Sequence, residues 1–315
     1  MSTLNPIQRA CLRTIAYYDI FDYPLTQDEI VRWCYPEEAA EVQAEDVDQA
    51  IAALLAMKKI EQKGAWYFLP GRSAIVATRA LRTVSNAPKW RRAETAARWI
   101  EMVPHVKFVG VVNTLATDNA RPESDIDFFI ITSPEHLWSA RAMVTGLVSL
   151  LGYRRHGKKI TNRICLSFYV TERAMDFSTL RLSDDDHYLH FWLTQIVPLL
   201  DEQTFEKFRA ANAWIKDKIP HGWSDDWRER LIPSDPGRRA IRRFFELFFA
   251  TPVGGMVELQ LRQQQLNKME KNEASKAKLG TTEVVINDDM LKFHEADRRA
   301  QYNELFEERL EALGL

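Results

Sequence analysis

Two aspartates stand one residue apart in the segment RPESDIDFFIIT, residues 121–132. In a strand, side chains alternate between the two faces, so Asp125 and Asp127 are expected to point the same way while Ile126 points into the core. Two like charges on one face repel each other unless a cation lies between them. Because carboxylate oxygens on a rigid strand suit a hard divalent cation, the pair predicts a metal site.

An ordinary explanation of the same pair is a surface ion-pair arrangement. The two carboxylates could cap a turn and pair with Arg121 or Lys107. The apolar run FFII that follows places the strand in the interior, where an acidic pair requires a counter-charge. We therefore favour the metal site.

The surrounding segment FVGVVNTLATDNARPESDIDFFIIT resembles a known family, the nucleotidyltransferase superfamily of the DNA polymerase β type, in particular its small bacterial members. The signature of that family is a strand, a Gly-Ser turn, a short helix and a second strand that begins Ser-Asp-x-Asp. The resemblance covers residues 104–170, with Ser124, Asp125 and Asp127 at the acidic motif.

The resemblance implies transfer of a nucleoside monophosphate from an NTP to an acceptor hydroxyl, with Mg²⁺ or Mn²⁺ as the cofactor. Asp125 and Asp127 would be the catalytic metal ligands, and Asn113, Thr114 and Ser124 would lie near the phosphates. Asn113-Thr114 stands where the family has Gly-Ser. Asparagine tolerates left-handed backbone and threonine keeps the hydroxyl, so we expect an altered phosphate-binding turn. The acceptor, whether protein, nucleic acid or small molecule, is not identified.

A third carboxylate, which the family usually carries on a later strand to activate the attacking hydroxyl, has no counterpart here. The matching segment RICLSFYVT is expected to present Cys165, Ser167 and Tyr169 on one face, and it contains no acid. Asp118, near the expected phosphate-binding turn, and Asp176, after the third strand, are other candidates, and the spacing supports neither. The alternative function is therefore a catalytically impaired nucleotide-binding or regulatory protein that uses its N-terminal region to contact a partner or DNA.

A second cluster of metal-binding residue types lies in the segment LSDDDHYLH. The ordinary arrangement, which we favour, has Ser183 capping a helix whose first turn is stabilised by the aspartates. The residues that would form a metal site instead are Asp184, Asp185, Asp186, His187 and His190.

Composition narrows the class of protein. The 315 residues include 42 basic and 44 acidic ones, so no overall charge favours nucleic acid or a membrane surface as the partner. The cysteines, Cys11, Cys34 and Cys165, form no CxxC pair, which argues against zinc and fits a reducing compartment. No apolar run of about 18 residues occurs, so we expect a cytoplasmic protein without a membrane partner.

Residues 1–72 predict a winged-helix-like domain of three helices and a β-hairpin that turns at Lys63-Gly64. Thr26 and Glu29 form a capping-box pattern at the second helix. The third helix, EDVDQAIAALLAMKK, begins with acids that would repel DNA phosphates, so we favour a structural or protein-contact role over DNA reading.

Residues 73–103 predict two connecting helices separated at Asn86-Ala87-Pro88. They carry a local basic cluster that is either a solvated face or a set of cations facing a nucleotide or nucleic acid. The cluster comprises Arg79, Arg82, Lys89, Arg91 and Arg92.

The remaining chain predicts an α/β (α+β) core followed by a helical region. Residues 104–175 alternate strand and helix patterns, which with the resemblance implies a small mixed sheet of the nucleotidyltransferase type. Residues 176–315 read as helical apart from one short strand, TTEVVIN. In that region the segment PGRRAIRRFFELFFA predicts an amphipathic helix, and we favour a packed helix with a solvated basic side over a membrane or RNA element.

Overall fold

The computed structural model describes residues 4–38, 42–223, 226–271, 276–279 and 282–315. It is a mixed α/β structure built on a six-stranded mixed sheet and a separate two-stranded sheet. In the described part of the chain, no helix has the length and apolar character needed to cross a membrane.

The N-terminal unit has the predicted order of three helices and a hairpin. The capping box of Thr26 and Glu29 is present, and Gly64 takes a left-handed conformation (φ +62°) in the hairpin turn. The exposed side of the third helix carries Glu45 and Asp46, which disfavours contact with phosphates. The elements are α1 (Pro6–Asp19), α2 (Gln27–Arg32), α3 (Ala44–Ala56), β1 (Glu61–Lys63) and β2 (Trp66–Phe68).

The connecting region is one helix, α4 (Ala74–Ile100), rather than the two that the sequence predicted. Pro88 lies inside it and cannot donate to the carbonyl of Val84. Val84 is 76% exposed, so water can replace the missing donor and the helix continues.

Most of the predicted basic cluster on α4 has structural partners. Arg79 forms an ion pair with Glu29 at 2.7 Å, and Arg82 donates to Asn119 Oδ1 at 2.8 Å. Lys89 is fully buried. These cations therefore tie the N-terminal unit and α4 to the rest of the chain instead of forming a free basic face.

The large sheet has the strand order β6-β3-β4-β5-β8-β7, in which only β4 and β5 are parallel. One face packs against α4 and α6, and the other packs against α7 and α8. The elements between residues 104 and 211 are β3 (Val106–Val112), α5 (Asn113–Ala116), β4 (Ile126–Thr132), α6 (Leu137–Leu150), β5 (Ile164–Thr171), α7 (His187–Thr194), β6 (Val197–Asp201) and α8 (Phe205–Ala211).

The C-terminal region is less helical than predicted, because it supplies β6, β7 and β8 to the sheet. Val197–Asp201 and Met290–Phe293 are short apolar runs, and periodicity alone does not separate such runs from buried helix. The remaining elements are α9 (Pro236–Phe249), α10 (Pro252–Glu270), β7 (Val284–Ile286), β8 (Met290–Phe293) and α11 (Arg299–Leu313), with 3-10 turns at Ser178–Leu180, Ala213–Asp217, Asp226–Arg230 and Lys276–Leu279.

Helix α9 is oriented opposite to the prediction. Its buried side carries Arg242 and Phe249, whereas Phe244 and Leu247 are 68% and 72% exposed. Arg242 is held by ion pairs with Glu202 and Glu246, which anchor the polar side of the helix to the protein. The apolar side therefore faces outward.

Gly110 in β3 offers a test of the sheet packing, because a Cβ there would lie 2.8 Å from the Phe108 ring and 2.9 Å from Ile196 Cγ2. We expect Gly110→Ala to lower the free energy of unfolding by about 1–3 kcal/mol in urea titrations. Gly146→Ala in α6 is the matched control, since its Cβ would meet nothing within 4 Å. The control substitution should raise the free energy of unfolding by about 0.5–1 kcal/mol. Equal stability of the two variants would contradict this packing.

Candidate functional site

The two aspartates lie at the start of β4, in the middle of the large sheet. Ile126 between them is fully buried, so both acids lie on the other side of the strand. One oxygen of each carboxylate and the Sγ of Cys165 all lie within 4.8 Å of one another. Cys165 faces Asp127 across the parallel β4–β5 pair. This is the only group of three metal-ligand residue types that the described part of the chain brings together.

A counter-charge for Asp125 comes from the loop between α6 and β5. Arg155 Nη1 donates to Asp125 Oδ2 at 2.7 Å and lies 3.7 Å from Cys165 Sγ. The sequence named Arg121 or Lys107 as the ion-pair partner, and this was wrong: Lys107 instead pairs with Glu202 at 3.6 Å. Since the Arg155 side chain is 45% exposed, solvent screens its ion pair with Asp125.

Asp127 is the carboxylate whose charged form is disfavoured in this cluster. Burial, and secondarily the neighbouring charge of Asp125, raises the pKa of Asp127 to about 6. Hydrogen bonds from Asn113 and Cys165 partly oppose this rise. A cation bound beside Asp127 would favour its charged form and offset the cost.

Asn113 connects the acidic pair to α7. It begins α5 in a left-handed conformation (φ 60°), as expected for a residue that replaces glycine. Its Oδ1 accepts from Trp192 Nε1 at 2.9 Å and from Tyr188 Oη at 3.4 Å. The side chain is thereby held beside Asp127, where its polar amide favours the charged form of that carboxyl.

The other two predicted phosphate-binding residues lie apart from this cluster. Thr114 is exposed and borders a separate, small cavity of about 50 Å³ next to the N-terminal unit. The carbonyl of Ser124 accepts from Lys89 Nζ at 2.7 Å, and the same ammonium binds Pro122 O and Asn162 Oδ1. Lys89 thus fixes the loop that leads into Asp125, a positioning role that the sequence did not reveal.

A cavity of about 570 Å³ opens beside Asp127 and Cys165, which is the size of a small-molecule site. Aromatic rings also line it, among them Tyr188 and Tyr302, which stack with centroids 5.3 Å apart. A β-bulge between β4 and β5 changes the predicted face of β5. Cys165 and Ser167 line the cavity, but Tyr169 packs into the core on the other side of the sheet.

The segment KFHEADRR, residues 292–299, also lines this cavity, and it lies in the region that the sequence predicts to be helical. Its charge density directly after an apolar strand is the signal that would have identified it. Burial lowers the pKa of Lys292 to about 8 and that of His294 to about 4, so the imidazole is neutral at pH 7. Asp297 is already paired with Lys292 and Arg299, at 3.2 and 2.9 Å.

The second candidate metal cluster is structural. Asp186, rather than Ser183, caps α7 and forms an ion pair with Arg299 at 2.9 Å. His187 and His190 each place Nδ1 2.7 Å from the Tyr35 hydroxyl. These side chains therefore hold α7 against the N-terminal unit and α11.

The two other acids considered for the missing third carboxylate do not line the large cavity. Asp118 accepts from Trp90 Nε1, and Asp176 accepts from the backbone N–H of Ser178 at 2.9 Å. Cys165 lies in register with Asp127, and burial raises the pKa of its thiol to about 12. The thiol is therefore protonated at neutral pH and is a poor proton acceptor.

The donor set fits Mg²⁺ or Mn²⁺ through its oxygens. Asp125 and Asp127 supply two converging carboxylates, while the sulfur of Cys165 is a ligand that Mg²⁺ does not favour. Such an ion commonly takes one or two carboxylates and completes its shell with phosphate oxygens and water. Arg155 competes for one of the four carboxylate oxygens.

The loop that carries Arg155 is strongly basic. Residues 152–163 contain no acid, and Arg92 anchors this loop by donating to Asn162 O at 2.9 Å. A cationic rim beside a cavity attracts anions such as a triphosphate. The cations of the loop are Arg154, Arg155, Lys158, Lys159 and Arg163.

The raised pKa of Asp127 gives a pH-dependent test without any metal. Between about pH 4 and 6 the folded state holds a proton that the unfolded state has lost, so this group lowers stability as the pH rises. In urea titrations at pH 7.5 we expect the free energy of unfolding of Asp127→Asn to exceed that of the wild type by about 1–3 kcal/mol. At pH 4 the two proteins should differ little. A difference independent of pH would contradict the assignment.

Arg155 provides a test of competition for Asp125. We expect Arg155→Gln to bind Mn²⁺ about 3–10-fold more tightly in calorimetry, because the guanidinium no longer occupies Oδ2. Lys158→Gln removes the same charge from an exposed position on the same loop. Equal effects of the two variants on Mn²⁺ affinity would show that the loss of positive charge, and not the loss of the contact with Asp125, causes the change.

Comparisons with known proteins gave no match: no family model, no curated protein and no solved structure is similar to this chain.

Proposed function

We propose that the chain is a metal-dependent nucleotidyltransferase that moves a nucleoside monophosphate from an NTP to an acceptor hydroxyl, on a fold of the nucleotidyltransferase type. The observation that carries the proposal is the pair Asp125 and Asp127 on one side of central strand β4, with Asp127 lining a cavity of about 570 Å³. The left-handed start of α5 at Asn113 adds a turn at the place where the family binds phosphate.

Asp125 and Asp127 would hold the ion. When bound, Mg²⁺ or Mn²⁺ supplies positive charge that neutralises the phosphate oxygens and the charge that develops during transfer. Arg155 and the basic loop around it would attract the triphosphate. The stacked rings of Tyr188 and Tyr302 offer an aromatic surface on which a base can stack.

A second candidate, a nucleotide-binding protein without turnover, is favoured by the chemistry at Cys165 and Arg155. The thiol at Cys165 replaces the third carboxylate and does not readily accept the proton of the attacking hydroxyl. Arg155 already neutralises part of the charge of Asp125. In this case the N-terminal unit would contact a partner that recognises the nucleotide-bound protein.

Transfer from an α-labelled NTP separates the two candidates. With Mg²⁺ or Mn²⁺ and separate pools of protein, RNA and small hydroxyl acceptors, the enzyme should label one pool. Asp127→Asn should lower the rate at least about 100-fold while the protein stays folded. The control is Asp184→Asn, the same change at a carboxylate that is 89% exposed, and it should keep the wild-type rate.

Thermal shift in the same samples completes the test. A rise in melting temperature with NTP and metal, without transfer to any pool, would support the binding protein and contradict the enzyme. Loss of that rise in Asp127→Asn places the nucleotide at β4. No shift and no transfer would contradict both candidates.

A further inference from the structure

The tip of the α9–α10 hairpin presents a large apolar surface. Phe244, Leu247 and Phe248 on α9 are 68%, 72% and 40% exposed, and Val253, Met256 and Leu259 on α10 are 53%, 61% and 66% exposed. Single exposed apolar residues are normal on a protein surface, but contiguous patches usually mark a contact site. A short turn at residues 250–251 joins the two helices, so both sets lie toward the same end of the hairpin.

The hairpin holds this surface in a fixed orientation. Arg242 and Phe249 are buried on the side of α9 opposite Phe244, and Arg242 is ion-paired with Glu202 and Glu246. Gly254 packs so tightly that a Cβ there would lie 2.4 Å from the Phe249 backbone. The apolar tip is thus presented by a rigid element.

The charges around the tip identify the partner. Arg239 and Arg243 are exposed, and no ion pair joins either one to another described residue. The two carboxylates within residues 236–269 are both engaged: Glu246 binds Arg242, and Glu258 accepts from the backbone N–H groups of Trp138 and Ser139. The outward surface at the tip therefore combines apolar side chains with cations, and the exposed carboxylate of the hairpin, that of Glu270, lies at the opposite end of α10.

We propose that the α9–α10 tip docks on an anionic lipid surface. Phe244, Leu247 and their neighbours enter the boundary between head groups and acyl chains, while Arg239 and Arg243 contact lipid phosphates. A basic, Phe- and Leu-rich helix with an exposed apolar face has the pattern of helices that lie in a membrane interface. A second copy of the chain fits less well, because a two-fold interface through this tip brings each copy's arginines close to their own counterparts.

Co-sedimentation of the full chain with sucrose-loaded vesicles tests the proposal. The wild type should sediment with phosphatidylcholine vesicles that contain phosphatidylglycerol, and much less with phosphatidylcholine alone. Phe244→Asp/Leu247→Asp should lower the partition coefficient at least about 10-fold, and Arg239→Gln/Arg243→Gln should lower it about 3–10-fold. The control Leu81→Asp/Val84→Asp, on α4 at positions 73% and 76% exposed, should bind like the wild type.

Three results would overturn the proposal. The first is that the wild type does not sediment with anionic vesicles, and the second is that the α4 control loses binding as strongly as the tip variant. The third is a wild-type dimer in light scattering that Phe244→Asp/Leu247→Asp converts to a monomer without any vesicle binding, since this assigns the tip to a second copy. Circular dichroism of each variant confirms that its fold is retained.

Discussion

The chemistry of this protein depends on one electrostatic constraint, the placement of two carboxylates on one side of a strand whose other side is buried. Ile126 fixes the orientation of Asp125 and Asp127, because it must face the core. Asp125 gains a counter-charge from Arg155, whereas burial raises the pKa of Asp127 to about 6 and so makes its charged form less favourable than in the unfolded chain. A cation bound beside Asp127 would reduce this cost, and the guanidinium of Arg155 already supplies positive charge beside Asp125.

The sequence predicted the local features best. The capping box at Thr26, the hairpin turn at Gly64 and the burial of Ile126 follow from short-range sterics and strand alternation, and the structure confirms them. The charge density of residues 292–299 is visible in the sequence, but their place beside the cavity is not, because it depends on the pairing of β5 with β8. Likewise, the orientation of α9 depends on Arg242 and its distant partner Glu202, whereas periodicity shows only that the helix has two faces.

Some residues that the sequence predicted to lie together are apart in the structure. Asn113 lines the large cavity with Asp127 as well as the small one, whereas Thr114, its neighbour in the chain, lines the small one and not the large one. The bulge in β5 similarly separates Tyr169 from Cys165 and Ser167. A single irregular residue reverses every later side chain on a strand, and such irregularities leave little trace in the sequence.

Helix α7 contacts both the large cavity and the N-terminal unit. One side of it carries Trp192 and Tyr188 in the cavity wall, while Phe191 stacks on Tyr17 with ring centroids 3.8 Å apart. The first 72 residues are thus a chain segment but not a separable energetic unit, since their removal would expose Phe191 to water. For the same reason, a ligand in the cavity that shifts α7 would also shift the N-terminal helices that pack against it.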